Sequence, residues 1–298
     1  CLVGSEMCIR DRFDVEKKIV IASGTQALVR LMLNQAVRDR VNGINSADLV
    51  TGYRGSPLGG VDATFTKAEK FLKKNNIKFQ YGLNEDLAAT AIWGSQQTEL
   101  RNEGKYDGVF GLWYGKGPGV DRCGDVFRHS NLAGTSKYGG VLVAMGDDHS
   151  AESSTELHQS EYALVDAMMP ILSPAGVQDI LDFGIKGWAL SRYSGLWVGI
   201  KCLKDTIEVT EVVDAAYDRV KIVDPQDKDH EELNIRLGDT PPAREDRLHN
   251  KKLRAAKIFA RANKLDKVDY SPTEKKIGII SAGKSWLDTV HALSLIHI

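Results

Sequence analysis

The sequence has 298 residues, of which 42% are hydrophobic and 27% charged, a globular composition with enough apolar side chains to form a buried core. Its 39 lysines and arginines nearly balance its 40 aspartates and glutamates, so the net charge of −1 provides no overall positive field for nucleic acid or an acidic membrane surface. Its apolar runs are much shorter than the ~20 residues of a membrane helix. We therefore expect a soluble protein that binds neither nucleic acid nor membrane.

The two ends of the chain are expected to lie outside the fold. Residues 1–12 (CLVGSEMCIRDR) lack the layout of a targeting peptide, and both this run and residues 293–298 (LSLIHI) resemble adapter-derived sequence at the edges of metagenomic reading frames. Without these ends, the cysteines are Cys123 and Cys202, which have neither the spacing of metal ligands nor the density of a disulfide framework. This usage is typical of a reducing cytoplasm, and we expect no metal site in this chain.

From Gly24 onward the pattern alternates between helix and strand. Gly24 to Arg40 has apolar residues at helical spacing, including Leu28 and Leu31, and it predicts an amphipathic helix. Short apolar runs then recur, each followed by a glycine- or serine-rich turn and a helical segment: Asp48 to Tyr53, Ile77 to Leu83, Tyr106 to Tyr114, Gly140 to Gly146 and Leu196 to Leu203. This order predicts an α/β domain over residues 13–225, with a mainly parallel sheet and helices on both faces.

Ligands of such a sheet bind beyond the carboxyl ends of its strands. Four loops occupy those positions: Gly52 to Gly60, Gly82 to Glu85, Gly115 to Asp121 and Gly146 to Ser154. We therefore expect Ser56, Glu85, Gly117 and Asp148 to converge on one edge of the sheet.

The composition changes after Asp224, and residues 226–272 are predicted to be a charged linker that contains a helix. Arg244 to Lys264 carries eight lysines and arginines against two acidic residues, which would suit either a basic anion-binding patch or a docked helix with solvated charges. The apolar series Leu248, Leu253, Ala256, Phe259 and Ala260 favours the docked helix. Residues 273–292 then predict a truncated second α/β domain, with a strand at Lys276 to Ile280 before a turn and a helix.

Gly278 to Ser285 fits the phosphate-loop pattern G-x-x-x-x-G-K-[ST]. The alternative function that it suggests is a P-loop NTPase. A phosphate loop needs the residues between its glycines to form the loop, whereas Ile279 and Ile280 look like the end of a buried strand. An ordinary strand-to-helix turn is therefore the preferred interpretation.

Three other features each have a chemical and a structural interpretation. Asp147-Asp148-His149 precedes further acids and His158 with enough ligand atoms for a metal, but Ser153 and Glu156 also fit a capping box that would begin a helix there. Gly115-Lys116-Gly117-Pro118-Gly119 allows close approach of a ligand or makes a turn. Glu85 follows a strand and begins the helix predicted from Asp86 to Leu100, where an acid is also favoured by the helix dipole.

Five blocks taken together resemble the start of indolepyruvate ferredoxin oxidoreductase, over about residues 19–292. The blocks are GTQALVR (24–30), GYRGSPLGG (52–60), NEDLAATA (84–91), WYGKGPGVDR (113–122) and GDDH (146–149). Members of this family use thiamine diphosphate to decarboxylate arylpyruvates oxidatively to acyl-CoA while reducing ferredoxin. The resemblance implies a thiamine diphosphate-binding fold, here its pyrimidine-binding domain, followed by the linker and the next domain.

The resemblance also implies roles for particular residues. Glu85 would hydrogen-bond the aminopyrimidine ring and so activate the cofactor, with Asn84 and Gly117 also contacting it. Arg54, Ser56, Lys116 and His149 would contact the 2-oxoacid, Arg54 through its carboxylate.

No Gly-Asp-Gly motif follows in this chain. We therefore expect the Mg²⁺-diphosphate site, the iron-sulfur clusters and the CoA site to lie in domains or subunits beyond this chain, which would be inactive alone and part of a cytoplasmic homo-oligomer. A binding module that retained the fold without catalysis is a further alternative.

Overall fold

The computed structural model describes residues 12–227, 230–271, 273–274 and 276–295. Most of the two terminal runs predicted to lie outside the fold, namely residues 1–11 and 296–298, falls outside the described residues. Arg12 differs from that prediction, because its carbonyl oxygen accepts a hydrogen bond of 3.2 Å from the buried Arg30 side chain. Among the described residues, no helix combines the length and the apolar character that crossing a membrane requires.

A small two-stranded sheet joins two distant parts of the chain. Its antiparallel strands are β1 (Ile19–Ser23) and β8 (Thr210–Asp214). Helix α1 (Gly24–Val41) begins directly after β1, where the Ser23 side chain accepts the Gln26 amide and the Gln26 side chain bonds the Ser23 amide. This capping box fixes the start of the helix that the sequence predicts.

The central sheet has six strands, and every pairing within it is parallel. The strands are β2 (Ser46–Gly52), β3 (Ile77–Tyr81), β4 (Gly108–Lys116), β5 (Val141–Asp147), β6 (Ile171–Leu172) and β7 (Val198–Leu203). Their order in the sheet is β3-β2-β4-β5-β7-β6. Because β3 lies on one side of β2 and β4 on the other, the winding reverses there, and the ligand crevice of such sheets is expected beyond the carboxyl ends of β2 and β4.

Helices cover both faces of this sheet, so the predicted α/β fold is confirmed. After α1 they are α2 (Val61–Lys67), α3 (Glu69–Lys74), α4 (Glu85–Ser95), α5 (Gly117–Arg122), α6 (Gly124–Ala133), α7 (Glu161–Asp166), α8 (Val177–Ser194) and α9 (Lys204–Ile207). Neighbouring residues of β4 point to opposite faces. Leu112 lies in the core beneath α1 and α8, whereas Trp113 packs with Ile92 and Phe127 beneath α4 and α6.

The charged linker contains a long docked helix, as expected. It runs through α10 (Pro241–Asp246), a π-helical turn (Arg247–Lys252) and α11 (Leu253–Ala262). Its predicted apolar face is buried at Leu248, Ala256 and Phe259. Lys252 is also fully buried, which no residue pattern indicates, and its amine donates to the carbonyls of Asn131 and Leu132 at the end of α6. The boundary of the domain at residue 225 stays a prediction.

The strand predicted at Lys276 to Ile280 is wrong. These residues have no β pairing, and Ile280 is fully exposed, because the apolar run finds no neighbouring strand in the part of the chain that the structure describes. The helix that follows is present as α12 (Lys284–Leu295), which extends into the terminal run. Because Ile279 and Ile280 are not in a strand, they do not themselves exclude a phosphate loop, contrary to the expectation above. A phosphate loop also needs a strand before its first glycine, and none precedes Gly278 among the described residues of this segment. The Lys284 amine pairs with Asp288 one turn later at 2.8 Å. The second α/β domain stays a prediction.

Candidate functional site

The loops singled out from the sequence meet at one edge of the central sheet. Their glycines mark the contacts, because a Cβ at Gly82 would lie 2.5 Å from the Gly52 carbonyl oxygen and one at Gly55 would lie 2.7 Å from the Lys116 side chain. A Cβ at Gly146 would similarly meet Pro57 and Leu58 at 3.1 Å or less. The loops after β2, β3, β4 and β5 are therefore in mutual contact beyond the carboxyl ends of their strands.

Glu85 is a buried carboxylate at this edge. It is the first residue of α4 and only 5% exposed, and its backbone carbonyl accepts a hydrogen bond of 3.1 Å from the Trp113 indole. Its carboxylate packs on Gly119, where a Cβ would lie 2.6 Å from the Glu85 Cγ. The nearest cation is Arg122, with 4.0 Å between Nη1 and Oε2, and no described residue donates a hydrogen bond to the Glu85 carboxylate. The carboxylate oxygens are therefore available to accept a hydrogen bond from a ligand.

Asn84, next to Glu85 in the sequence, is the N-cap residue of α4. Its side-chain oxygen accepts the Leu87 amide at 2.8 Å and so caps the amino end of α4. The helix ends at Ser95, before the predicted Leu100. Contact of Asn84 with a cofactor stays a prediction.

The loop after β2 presents two of the predicted substrate ligands. It leaves the sheet with a hydrogen bond of 3.1 Å from the Tyr53 amide to the Tyr114 carbonyl, and the buried Leu58 anchors its far side. Arg54 is exposed, and its guanidinium has no hydrogen bond or ion pair with any described residue. Ser56 is half-buried and precedes a cis peptide bond to Pro57. Both side chains lie on a loop that borders the expected crevice, where an anionic ligand can reach Arg54.

The loop after β5 differs from the helix start predicted there from the sequence. The helix that Ser153 and Glu156 were expected to begin is absent, and α7 starts only at Glu161. Asp148 instead organises the loop, because its carboxylate accepts the Ser153 amide at 2.6 Å, the Ser153 hydroxyl at 2.8 Å and the Glu152 amide at 3.2 Å. Burial acts to raise the pKa of Asp148, but these hydrogen bonds outweigh it and the pKa is lowered.

Three side chains of this region have one ligand atom each within 4.8 Å of one another: Asp147, His149 and Glu161. The carboxylate of Asp147 is already bound by the Ser160 amide at 2.9 Å and the Ser160 hydroxyl at 2.6 Å. Glu161 is paired with the buried amine of Lys201. Because protein donors occupy two of the three groups, we interpret the cluster as a polar network and assign no metal to it.

His158 was considered in the sequence only as one member of an acidic cluster. In the structure its Nε2 lies 2.9 Å from Oδ2 of Asp121, and its Nδ1 lies 3.5 Å from Oδ1 of Asp147. The ring packs on Gly117 so closely that a Cβ there would lie 1.9 Å from Nδ1. Gly117 is therefore required for contact with His158, while its predicted contact with a cofactor stays a prediction. Asp121 and His158 are 37 positions apart, and no local residue pattern indicates that they pair.

Comparison with known proteins tests the resemblance. The chain is 24% identical over 260 residues to the indolepyruvate oxidoreductase subunit IorA of Methanothermobacter marburgensis, covering 87% of this chain and 38% of that protein. It is 21% identical over 295 residues to the subunit IorA of Archaeoglobus fulgidus, covering 96% of this chain and 42% of that protein. The family resemblance predicted from the sequence is confirmed. No protein-family model matches the sequence.

A solved structure supports the fold. The 2-oxoglutarate:ferredoxin oxidoreductase from Magnetococcus marinus, described with 2-oxoglutarate, coenzyme A and succinyl-CoA bound, matches with a TM-score of 0.60 at 14% identity, over 95% of this chain and 52% of that chain. This chain therefore has the fold of part of that enzyme. It spans about two fifths of the length of the curated relatives it matches.

Proposed function

We propose that this chain binds the aminopyrimidine half of thiamine diphosphate, and that Glu85 is the residue that activates the cofactor in a 2-oxoacid:ferredoxin oxidoreductase. The observation that carries the proposal is the Glu85 carboxylate, which is 5% exposed at the carboxyl end of β3 and has no hydrogen bond from a described residue. A largely buried carboxylate that has Arg122 at 4.0 Å but no hydrogen-bond donor is costly to keep, so a ligand that donates a hydrogen bond to it would offset part of that cost.

In this proposal an aromatic, nitrogen-containing ring lies beside Glu85. Because Gly119 has no side chain, its backbone lies directly against the Glu85 carboxylate, and the loops after β2 and β4 meet at the same edge of the sheet. Bound thiamine diphosphate would supply the carbon nucleophile that makes decarboxylation of a 2-oxoacid possible. Glu85 would share a proton with a pyrimidine ring nitrogen, in a site from which water is largely excluded.

The proposed substrate ligands lie on the loops at this edge of the sheet. Arg54 would bind the carboxylate of the 2-oxoacid, with Ser56, Lys116 and His149 contributing polar contacts. The names of the IorA relatives favour an arylpyruvate such as indolepyruvate. Coenzyme A, ferredoxin, Mg²⁺ and iron-sulfur clusters would be bound by domains or subunits beyond this chain, in a cytoplasmic homo-oligomer.

The test is Glu85→Gln in the complete enzyme that contains this chain. Glutamine retains the shape and hydrogen-bonding reach of the side chain but cannot cycle a proton, so we expect thiamine diphosphate to bind almost normally while turnover falls by ~10²–10⁴-fold. The assay is 2-oxoacid-dependent ferredoxin reduction at saturating thiamine diphosphate.

Asp86→Asn is the matched control. Asp86 is in the same first helical turn and pairs with Arg122 at 3.2 Å. If the two acids only favour the helix dipole, both variants lose at most ~1 kcal/mol of stability and keep their activity. Near-normal turnover of Glu85→Gln would therefore refute the proposed role.

A further inference from the structure

The short helix α5 is held by side-chain contacts on both of its sides. Asp121 is bound by His158, with 2.9 Å between Oδ2 and Nε2. The adjacent Arg122 reaches the other way, to Asp86 at 3.2 Å and to Glu85 at 4.0 Å. The helix is thus tied to the loop after β5 through one residue and to the start of α4 through the next.

Each of the two glycines at the start of α5 lies against a titratable side chain from another part of the chain. Gly117 accommodates the imidazole of His158, and Gly119 accommodates the carboxylate of Glu85. A side chain at either position would displace the group that it faces, since the added carbon would lie within 2.7 Å of it. The helix backbone therefore forms a wall between His158 and Glu85.

We propose that His158 is a positioning residue: by binding Asp121 it holds α5 against the start of α4, and α5 in turn shields Glu85 from water. The function of this shielding rests on the role proposed for Glu85 above. The contact itself is a property of the chain without any cofactor. Its strength can therefore be measured independently.

Cys123 is a built-in probe of this contact. It follows α5 directly and is fully buried, and burial together with the neighbouring Asp86 raises the pKa of its thiol. Because the thiolate is the reactive form, a buried thiol reacts only after a local opening of the structure exposes it. The labelling rate of Cys123 in the native state therefore reports how often α5 detaches from its neighbours. Cys202 in β7 is equally buried, pairs with Gly146 of β5 within the sheet, and reports global unfolding instead.

The experiment measures the labelling rates of these two thiols by an aromatic disulfide reagent, in the 298-residue chain with Cys1 and Cys8 replaced by serine. We expect His158→Gln to label Cys123 about three- to ten-fold faster, which is the range for losing one partly exposed, charge-assisted hydrogen bond. The labelling rate of Cys202 should not change. Hydrogen exchange of residues 85–88 should increase in parallel with the labelling of Cys123.

Two further variants control the interpretation. Asp121→Ala removes the same contact from an exposed side chain, so it should reproduce the effect, and the double variant should add little to it. His129→Gln breaks an exposed pair with Asp125, 3.5 Å apart on the neighbouring α6, and should change neither thiol.

An unchanged Cys123 rate in His158→Gln and Asp121→Ala would overturn the proposal. So would equal acceleration of both thiols, because that indicates general destabilisation. Faster labelling of Cys123 while residues 85–88 keep their protection would refute the shielding of Glu85. Since none of these measurements uses thiamine diphosphate, failure of the proposed function would be seen separately, in the Glu85→Gln assay.

Discussion

Lys252 should make the stability of this protein increase with pH above neutrality. The residue is fully buried, and burial, with repulsion from Arg247 and Arg236, lowers the pKa of its amine from 10.5 to about 7. Between these two values the unfolded chain holds a proton that the folded chain releases, so the free energy of unfolding rises with pH. Below the folded pKa both states hold the proton, and the full cost of burying the charge remains.

The magnitude follows from the size of the shift. One pKa unit corresponds to about 1.4 kcal/mol, so between pH 7 and pH 9 this single group should add about 2 kcal/mol to the free energy of unfolding. Lys252→Met removes the titration. It also leaves the carbonyls of Asn131 and Leu132 without their donor, a loss of ~1–3 kcal/mol that does not depend on pH in this range.

The assay is urea denaturation of the wild type and the variant at pH 7, 8 and 9, followed by circular dichroism. The stability of Lys252→Met relative to the wild type should fall by about 2 kcal/mol from the lowest pH to the highest. Lys251→Met alters the exposed neighbour, which is paired with Glu231. Its free energy of unfolding relative to the wild type should not change with pH over this range. If the difference in free energy of unfolding between Lys252→Met and the wild type also stayed constant from pH 7 to pH 9, the two carbonyls would keep the amine charged. This result would contradict the argument from burial.

Two further substitutions test the packing. Asp48 is buried in β2 beside Phe110, and its carboxylate oxygens have no hydrogen-bond donor among the described residues. Burial raises its pKa, and the nearby Leu49 amide only partly offsets this. Asp48→Val should therefore increase the free energy of unfolding by ~1–3 kcal/mol at neutral pH and by less near pH 4. Urea denaturation at the two pH values measures this, and a lower free energy of unfolding at neutral pH would contradict it. Gly119→Ala should cost ~1–3 kcal/mol, because the added carbon would lie 2.6 Å from Glu85, and thermal unfolding would measure it. The control Gly94→Ala has open space around it and should stabilise α4 by ~0.5–1 kcal/mol; equal effects of the two alanines would exclude crowding at Glu85.

The parts of the fold that the sequence predicts are those encoded locally. Each buried parallel strand is a short apolar run followed by a glycine-rich turn, so β2 to β5 and β7 could be located without knowing their partners. The edge of the sheet where Glu85 lies follows from the same pattern, because parallel strands place their carboxyl ends together.

The errors and omissions arise where long-range contacts decide the structure. Lys276 to Ile280 has the local pattern of a strand but no neighbour to pair with, and the Ser153-Glu156 pattern is overruled by Asp148, which binds the loop amides itself. Strands β1 and β8 pair across most of the domain, and His158 meets Asp121 through the folding of two loops. Neither contact has a signature in local residue spacing.

The most direct test of the account is a structure of the complete enzyme with thiamine diphosphate bound. The account predicts a carboxylate oxygen of Glu85 within ~2.6–3.2 Å of a pyrimidine ring nitrogen, beside Gly119 and with α5 in place. A pyrimidine ring bonded to a different carboxylate, or a Glu85 that still faces only Arg122, would contradict it.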